Sequence, residues 1–151
     1  MNFKKALLKD SILLDLKSDT KNGVLEEMID LFIAAGKIQD RKGVLKAILE
    51  REKKMSTGMQ NGIAIPHAKT DQIENLIAAL AIKKEGIDFG ALNKQPSKIF
   101  IMTLSPTKRA GPHIQFLAEV SRLLNEPDIR DRVLNATSKD EIIEFLGHGG
   151  G

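Results

Sequence analysis

The 151-residue chain holds three histidines, and two of them stand where an imidazole could act on a substrate. His67 follows the short apolar run Ile63-Ala64-Ile65 and comes directly after Pro66. Proline has no N–H for a sheet ladder and a fixed φ, so it should stop strand pairing and lift the His67 ring out of regular structure. Gly58 and Gly62 lie just upstream, and glycine lets another molecule's backbone come close. A neutral imidazole in such a place is a nucleophile near pH 7. His113 follows Pro112, a residue suited to the first position of a helix. A first helical turn has N–H groups without helical partners and a positive dipole end, so it welcomes an anion. His113 also shares a helical face with Leu117, Val120 and Leu124, and should point inward at the edge of a sheet. Arg51 is the third candidate, since it lies close before the 56–62 loop. Its planar guanidinium can hold two oxygens of one phosphoryl group. The other charges of Glu50-Arg51-Glu52-Lys53-Lys54 read as a solvated helix end. His148, set among the closing glycines, is read as having no role.

Elements alternating between helix and strand must position these groups. A β-prone run over 11–16 opens the chain. An amphipathic helix over about 23–35 follows, with Leu25, Met28, Ile29 and Phe32 on one stripe and Gly36 at its C-terminal end. Asp40 can cap a second helix that carries Val44, Leu45, Ile48 and Leu49 and runs to about Lys53. The two helices should form an antiparallel hairpin. Residues 63–65, 76–82 and 99–104 are continuous apolar runs, as expected of strands buried on both faces. Turns are expected at Glu85-Gly86 and from Asn93 to Pro96. A long helix starts at Pro112, another at Pro127, and a last one after Ser138, where Ser138 and Glu141 match a capping box. The pattern describes one α/β domain over residues 1–146, a mixed sheet sandwiched by helices, with 147–151 as a flexible glycine-rich tail.

Composition excludes several classes of function. With no cysteine, disulfides, thiolate zinc sites and cysteine nucleophiles are impossible. No apolar stretch could cross a bilayer and no signal-like segment follows the charged start, so the expected location is cytoplasmic. The net charge of +3 and 4% aromatic content come with no basic stripe, which argues against a nucleic-acid surface. There is no G-x-x-x-x-G-K-[ST] loop for ATP, no zinc-type histidine spacing, no EF-hand loop and no G-x-S-x-G elbow. A histidine that takes a phosphoryl group from a partner protein survives these tests, and neither cofactor nor metal is expected.

Gly62-Ile63-Ala64-Ile65-Pro66-His67-Ala68, preceded by Ser56-Thr57-Gly58, resembles the active-site signature of the fructose/mannitol-type enzyme IIA domain. This domain belongs to the phosphoenolpyruvate-dependent sugar phosphotransferase system (PTS) and includes the nitrogen-regulatory IIA proteins. A second landmark, H-[LI]-x-x-L-A-x-[LIV]-x-x-L-L, is matched from His113-Ile114 through Leu117-Ala118 and Val120 to Leu123-Leu124. A third, an R-E pair shortly before S-T-G, is matched by Arg51-Glu52. The likeness covers about 12–146. It implies that His67 accepts a phosphoryl group on Nε2 from the carrier HPr, or a nitrogen-branch equivalent, and passes it to a IIB domain. It implies that His113 holds the ring or the phosphoryl oxygens and that Arg51 neutralises developing charge. Gln60 and Ala68 depart from the family pattern, where glycine is frequent at both places; Gln60 could alter partner choice. IIB domains of this type react through a cysteine, so IIB and the membrane component IIC must be other polypeptides, and any membrane contact is indirect. Uptake of a sugar is the leading reading. The alternative is a regulatory module whose binding to kinases, transporters or transcription regulators is switched by phosphorylation.

Overall fold

Long apolar runs without alternation need cover on both faces, and the chain supplies it with helices on each side of one sheet. The computed structural model describes residues 6–108 and 111–149, apart from the side chains of Leu8 and of 147–149. In chain order the elements are β1 (Leu7–Leu13), α1 (Lys21–Ala34), α2 (Arg41–Lys54), a 3₁₀ turn (Gln60–Gly62), β2 (Ile63–Ala64), β3 (His67–Thr70), β4 (Ile77–Ile87), β5 (Ser97–Pro106), α3 (Gly111–Leu124), α4 (Pro127–Leu134) and α5 (Lys139–Gly149). The sheet is mixed. β1 lies parallel to β4, β4 antiparallel to β5, and β2 and β3 both pair parallel with β5.

Side-chain alternation on β5 divides the core. Ile99 and Ile101 pack with Ile63, Phe116, Val120 and Leu124, on the side of α3, α4 and α5. Phe100, Met102 and Leu104 pack with Ala64, Phe32 and Ile48, on the side of α1 and α2. Local chemistry sets the helix ends. Thr20 and Asp40 accept the Gly23 and Gly43 N–H groups and so cap α1 and α2. Gly36, at φ +73°, ends α1 with Gly36 N–H bonded to the Ile33 carbonyl and Lys37 N–H to that of Phe32. Ser138 caps α5 by accepting the Glu141 N–H, but the Glu141 carboxylate reaches Thr137 instead of the serine.

Four expectations shift. The first strand is Leu7–Leu13, beginning and ending earlier than 11–16, and its pairing with β4 carries a register shift between Leu7 and Ile12 that breaks its alternation. Glu85-Gly86 is not a turn: β4 runs through to Ile87, and Gly86 sits at φ +84° in the irregularity between Ile82 and Ile87. α5 continues to Gly149, past the expected boundary at 146; Gly150 and Gly151 of the expected tail lie outside the described residues. His67, finally, is not lifted out of regular structure. It opens β3, facing Thr103 of β5.

A side chain at Gly86 would need a left-handed backbone and would place Cβ 2.7 Å from Cβ of Pro96. Gly86→Ala should therefore destabilise the fold by about 1–3 kcal/mol, measured by urea unfolding.

Candidate active site

The interruption at Pro66 separates two short parallel partners of β5. Thr103 N–H bonds to the Pro66 carbonyl at 3.0 Å, which leaves the Ile65 carbonyl outside the β5 ladder. That oxygen lies 2.8 Å from His67 Nδ1. A carbonyl can only accept, so Nδ1 carries the proton and donates it, and Nε2 keeps its lone pair. The Ile63 and Ile65 side chains pack on the α3 side of the sheet, and alternation puts His67 and Lys69 on that same side.

α3 brings His113 to this face. Its buried stripe of Phe116, Val120, Leu123 and Leu124 lies against the sheet, and His113, in its first turn, is half-buried with it. The rings of His67 and His113 are 4.8 Å apart between centroids and inclined at 49°. Arg51, from the last turn of α2, completes the constellation. His67, His113, Arg51, Lys54 and Lys69 line one cleft of about 500 Å³. The Arg51 Nη1 donates to the Met55 carbonyl at 2.8 Å, which ties the guanidinium to the end of its own helix. All three residues singled out in the sequence thus meet in one place. Gln60 lies outside this cleft, in the 3₁₀ turn.

Burial pushes the His67 imidazole below its ordinary value; Arg51 acts in the same direction, against the Ile65 carbonyl and Glu52. His113 is driven down to about 4, by burial first and then by His67, Lys69 and Arg51. Both rings are therefore neutral at physiological pH, inside a cleft with three cationic side chains and one acid, Glu50. His113 Nδ1 is buried without a hydrogen-bond partner, as are the Thr103 and Ser105 hydroxyls. Thr103 and Ser105 pair with His67 and Lys69 and share their side of the sheet, so unspent polar groups underlie the site.

Sequence reasoning missed Lys69 and Glu52. Lys69 becomes visible once His67 is known to open a strand, since i and i+2 share a face. Glu52 was grouped with a solvated helix end, yet it is 7% exposed. Its signal was spacing, because it follows Val44 and Ile48 at i+8 and i+4 on the buried stripe of α2.

Residues 5–149 match the family described as phosphoenolpyruvate-dependent sugar phosphotransferase system, EIIA 2. The chain belongs to this EIIA family. Members are phosphotransferase carriers, so the protein relays phosphoryl groups within the sugar phosphotransferase system. It is 42% identical over 127 residues to the fructose-specific EIIA component of Haloferax volcanii, covering 84% of this chain and 82% of that protein. It is 37% identical over 146 residues to the fructose-specific EIIABC component of Bacillus subtilis, covering 97% of this chain and 23% of that longer protein. Among solved structures, the nitrogen regulatory protein IIA-Ntr of Neisseria meningitidis superposes with a TM-score of 0.88 at 24% identity, covering 95% of this chain and 97% of that one. At that identity the likeness establishes the EIIA fold. No helix among the described residues is long and apolar enough to cross a membrane.

The depressed value of His113 sets a pH dependence for this EIIA domain. The unfolded chain binds a proton at its ordinary value of 6.5, the folded ring only near 4. The stability contributed by neutral His113 is complete above about 6.5 and is lost as pH falls toward 4. Urea titrations across that window should show a weaker loss of stability in His113→Gln than in the wild type. NMR titration should place the His113 midpoint near 4 and that of His67 below its ordinary value.

Proposed function

We propose that His67 Nε2 is the phosphoryl acceptor of this EIIA protein, with phosphorylated HPr or a nitrogen-branch equivalent as donor and a cysteine of a IIB protein as the next acceptor. The observation that carries this reading is the 2.8 Å contact of His67 Nδ1 with the Ile65 carbonyl, which leaves the lone pair on Nε2 of a ring that lines a basic cleft. In the forward step the donor's N–P bond breaks as the Nε2–P bond forms. The Nδ1 proton stays in place, and the Ile65 carbonyl stabilises the positive charge that the ring acquires. In the onward step the Nε2–P bond breaks and the phosphoryl group moves to the IIB thiolate, returning a neutral imidazole.

Phosphoryl transfer asks a protein chiefly for in-line positioning and charge stabilisation. Arg51 and Lys69 supply positive charge for the phosphoryl oxygens, and the α3 N-terminus adds its dipole. Neutral His113, 4.8 Å from His67 between ring centroids, can donate one N–H to the same group. The donor arrives already activated as a phosphohistidine, so the proposal invokes no nucleotide or metal. The fructose-specific relatives support uptake of fructose or a related sugar, relayed in the cytoplasm to IIB and IIC. The fusion of A, B and C components in the Bacillus relative's name supports IIB as the onward partner.

Incubation with phosphoenolpyruvate, enzyme I and HPr should place one acid-labile phosphoryl group on the wild type and none on His67→Ala. Arg51→Ala and His113→Ala should fold normally but accept the group roughly 10²–10³ times more slowly. An unlabelled wild type would sink the proposal. Transfer to a fructose-type IIB cysteine supports the transport role; capture of a kinase or channel without transfer supports the regulatory one.

A further inference from the structure

Glu52 is a carboxylate where the α2 stripe calls for an aliphatic side chain. Val44 and Ile48, two turns and one turn earlier, are both buried, and the Glu52 side chain is only 4% exposed. A buried carboxylate is costly unless it is paired and fully hydrogen-bonded, and an apolar residue of similar size often serves stability as well. Here every partner belongs to one structure. Lys21 Nζ lies 2.8 Å away, and both the N–H and the hydroxyl of Thr57 donate to the carboxylate, the N–H at 3.2 Å. Lys21 is itself held, since it donates to the Phe89 carbonyl at 3.2 Å and sits 4.6 Å from the centroid of that ring.

Thr57, with both donors engaged, turns its carbonyl to the Ile65 N–H at 3.1 Å. Gly58 forms an antiparallel bridge to Ala64, and Met59 N–H bonds to the Ile63 carbonyl at 2.7 Å. The segment from Thr57 to Met59 is thus a strap along β2, fastened by Glu52 at the end nearest His67. Ile65 receives the strap through its N–H and holds His67 through its carbonyl.

We propose that Glu52 is a positioning residue for His67, anchoring Thr57 and through it the Ile65 segment whose carbonyl decides which imidazole nitrogen carries the proton. The proposal rests on His67 as phosphoryl acceptor. Glu52 never meets the phosphoryl group; it acts by keeping Nε2 unprotonated and aimed into the cleft. Its negative charge also opposes that of Arg51 at the His67 ring.

The test compares Glu52→Gln and Thr57→Val in the full ¹⁵N-labelled chain. Two-bond ¹H–¹⁵N correlation spectra report the His67 tautomer without any phosphorylation. The wild type should show the Nδ1–H form alone, and both variants a mixture. Acceptance of the phosphoryl group should slow by roughly tenfold or more, with the apparent KM for phosphorylated HPr unchanged. Thr57→Ser, which keeps the hydroxyl, should restore both readouts. Variants that lower Tm yet retain the wild-type tautomer and rate would overturn the proposal, leaving Glu52 as a packing element only. Should Glu52→Gln fail to fold, Thr57→Val decides by the same tautomer measurement. If the wild type accepts no phosphoryl group at all, the acceptor assignment fails, while the spectra still show whether Glu52 sets the tautomer.

Discussion

The hydrogen bond from His67 Nδ1–H to the Ile65 carbonyl is the constraint on which the site depends. An imidazole free to exchange tautomers offers its lone pair on either nitrogen, and a transfer that needs one geometry would find it only part of the time. Removing that ambiguity requires a carbonyl that the sheet does not use. Strand alternation provides for this: the Pro66 carbonyl takes the Thr103 N–H of β5, while Ile65 turns its N–H to Thr57 and its carbonyl to the same outer edge. The ring orientation is therefore fixed by a carbonyl on the edge of the strand that faces away from β5.

Electrostatics and burial then work in the same direction. Partial burial penalises the imidazolium, and the cationic neighbours of a basic cleft add to this, so both rings remain neutral where a free histidine would be partly charged. Positive charge in the cleft is left to Arg51, Lys54 and Lys69. On the proposed assignment, nucleophile and counter-charge thus reside on different side chains, as an anionic incoming group requires. Glu52, paired with Lys21 and held by Thr57, adds rigidity without presenting a bare negative charge to that group.

Much of this was legible in the residues. His67, Arg51 and His113 could be picked out because a proline-flanked histidine, a helix-opening histidine and an arginine before a small-residue loop each have a stated chemistry. Helices were read well because caps at Asp40 and Ser138 and the stripes behind them are local signals. Long-range pairing was not. β3 is four residues without a hydrophobic run (His67-Ala68-Lys69-Thr70), and it is a strand only because β5 lies beside it. Gly86 resembled a turn because its left-handed backbone suits one, but Ser97 on the neighbouring strand holds Ile87 in the sheet. Glu52 was hidden because charge outweighed periodicity in the reading of that segment.

The two histidines belong to different layers, one on a strand of the sheet and the other on a helix packed over it, and β5 pairs with the first element and leads into the second. Pairing of β3 with β5 is long-range, His67 with Thr103 and Thr70 with Pro106, and α3 follows β5 in the chain. No contiguous fragment short of about residues 51–113 contains all three side chains, and none lacking β5 can hold them together. On the proposed assignment, competence to carry a phosphoryl group is therefore acquired only with the native topology. A nascent or unfolded chain has the histidines but no cleft, and so draws nothing from the cell's phosphoryl supply until its sheet has closed.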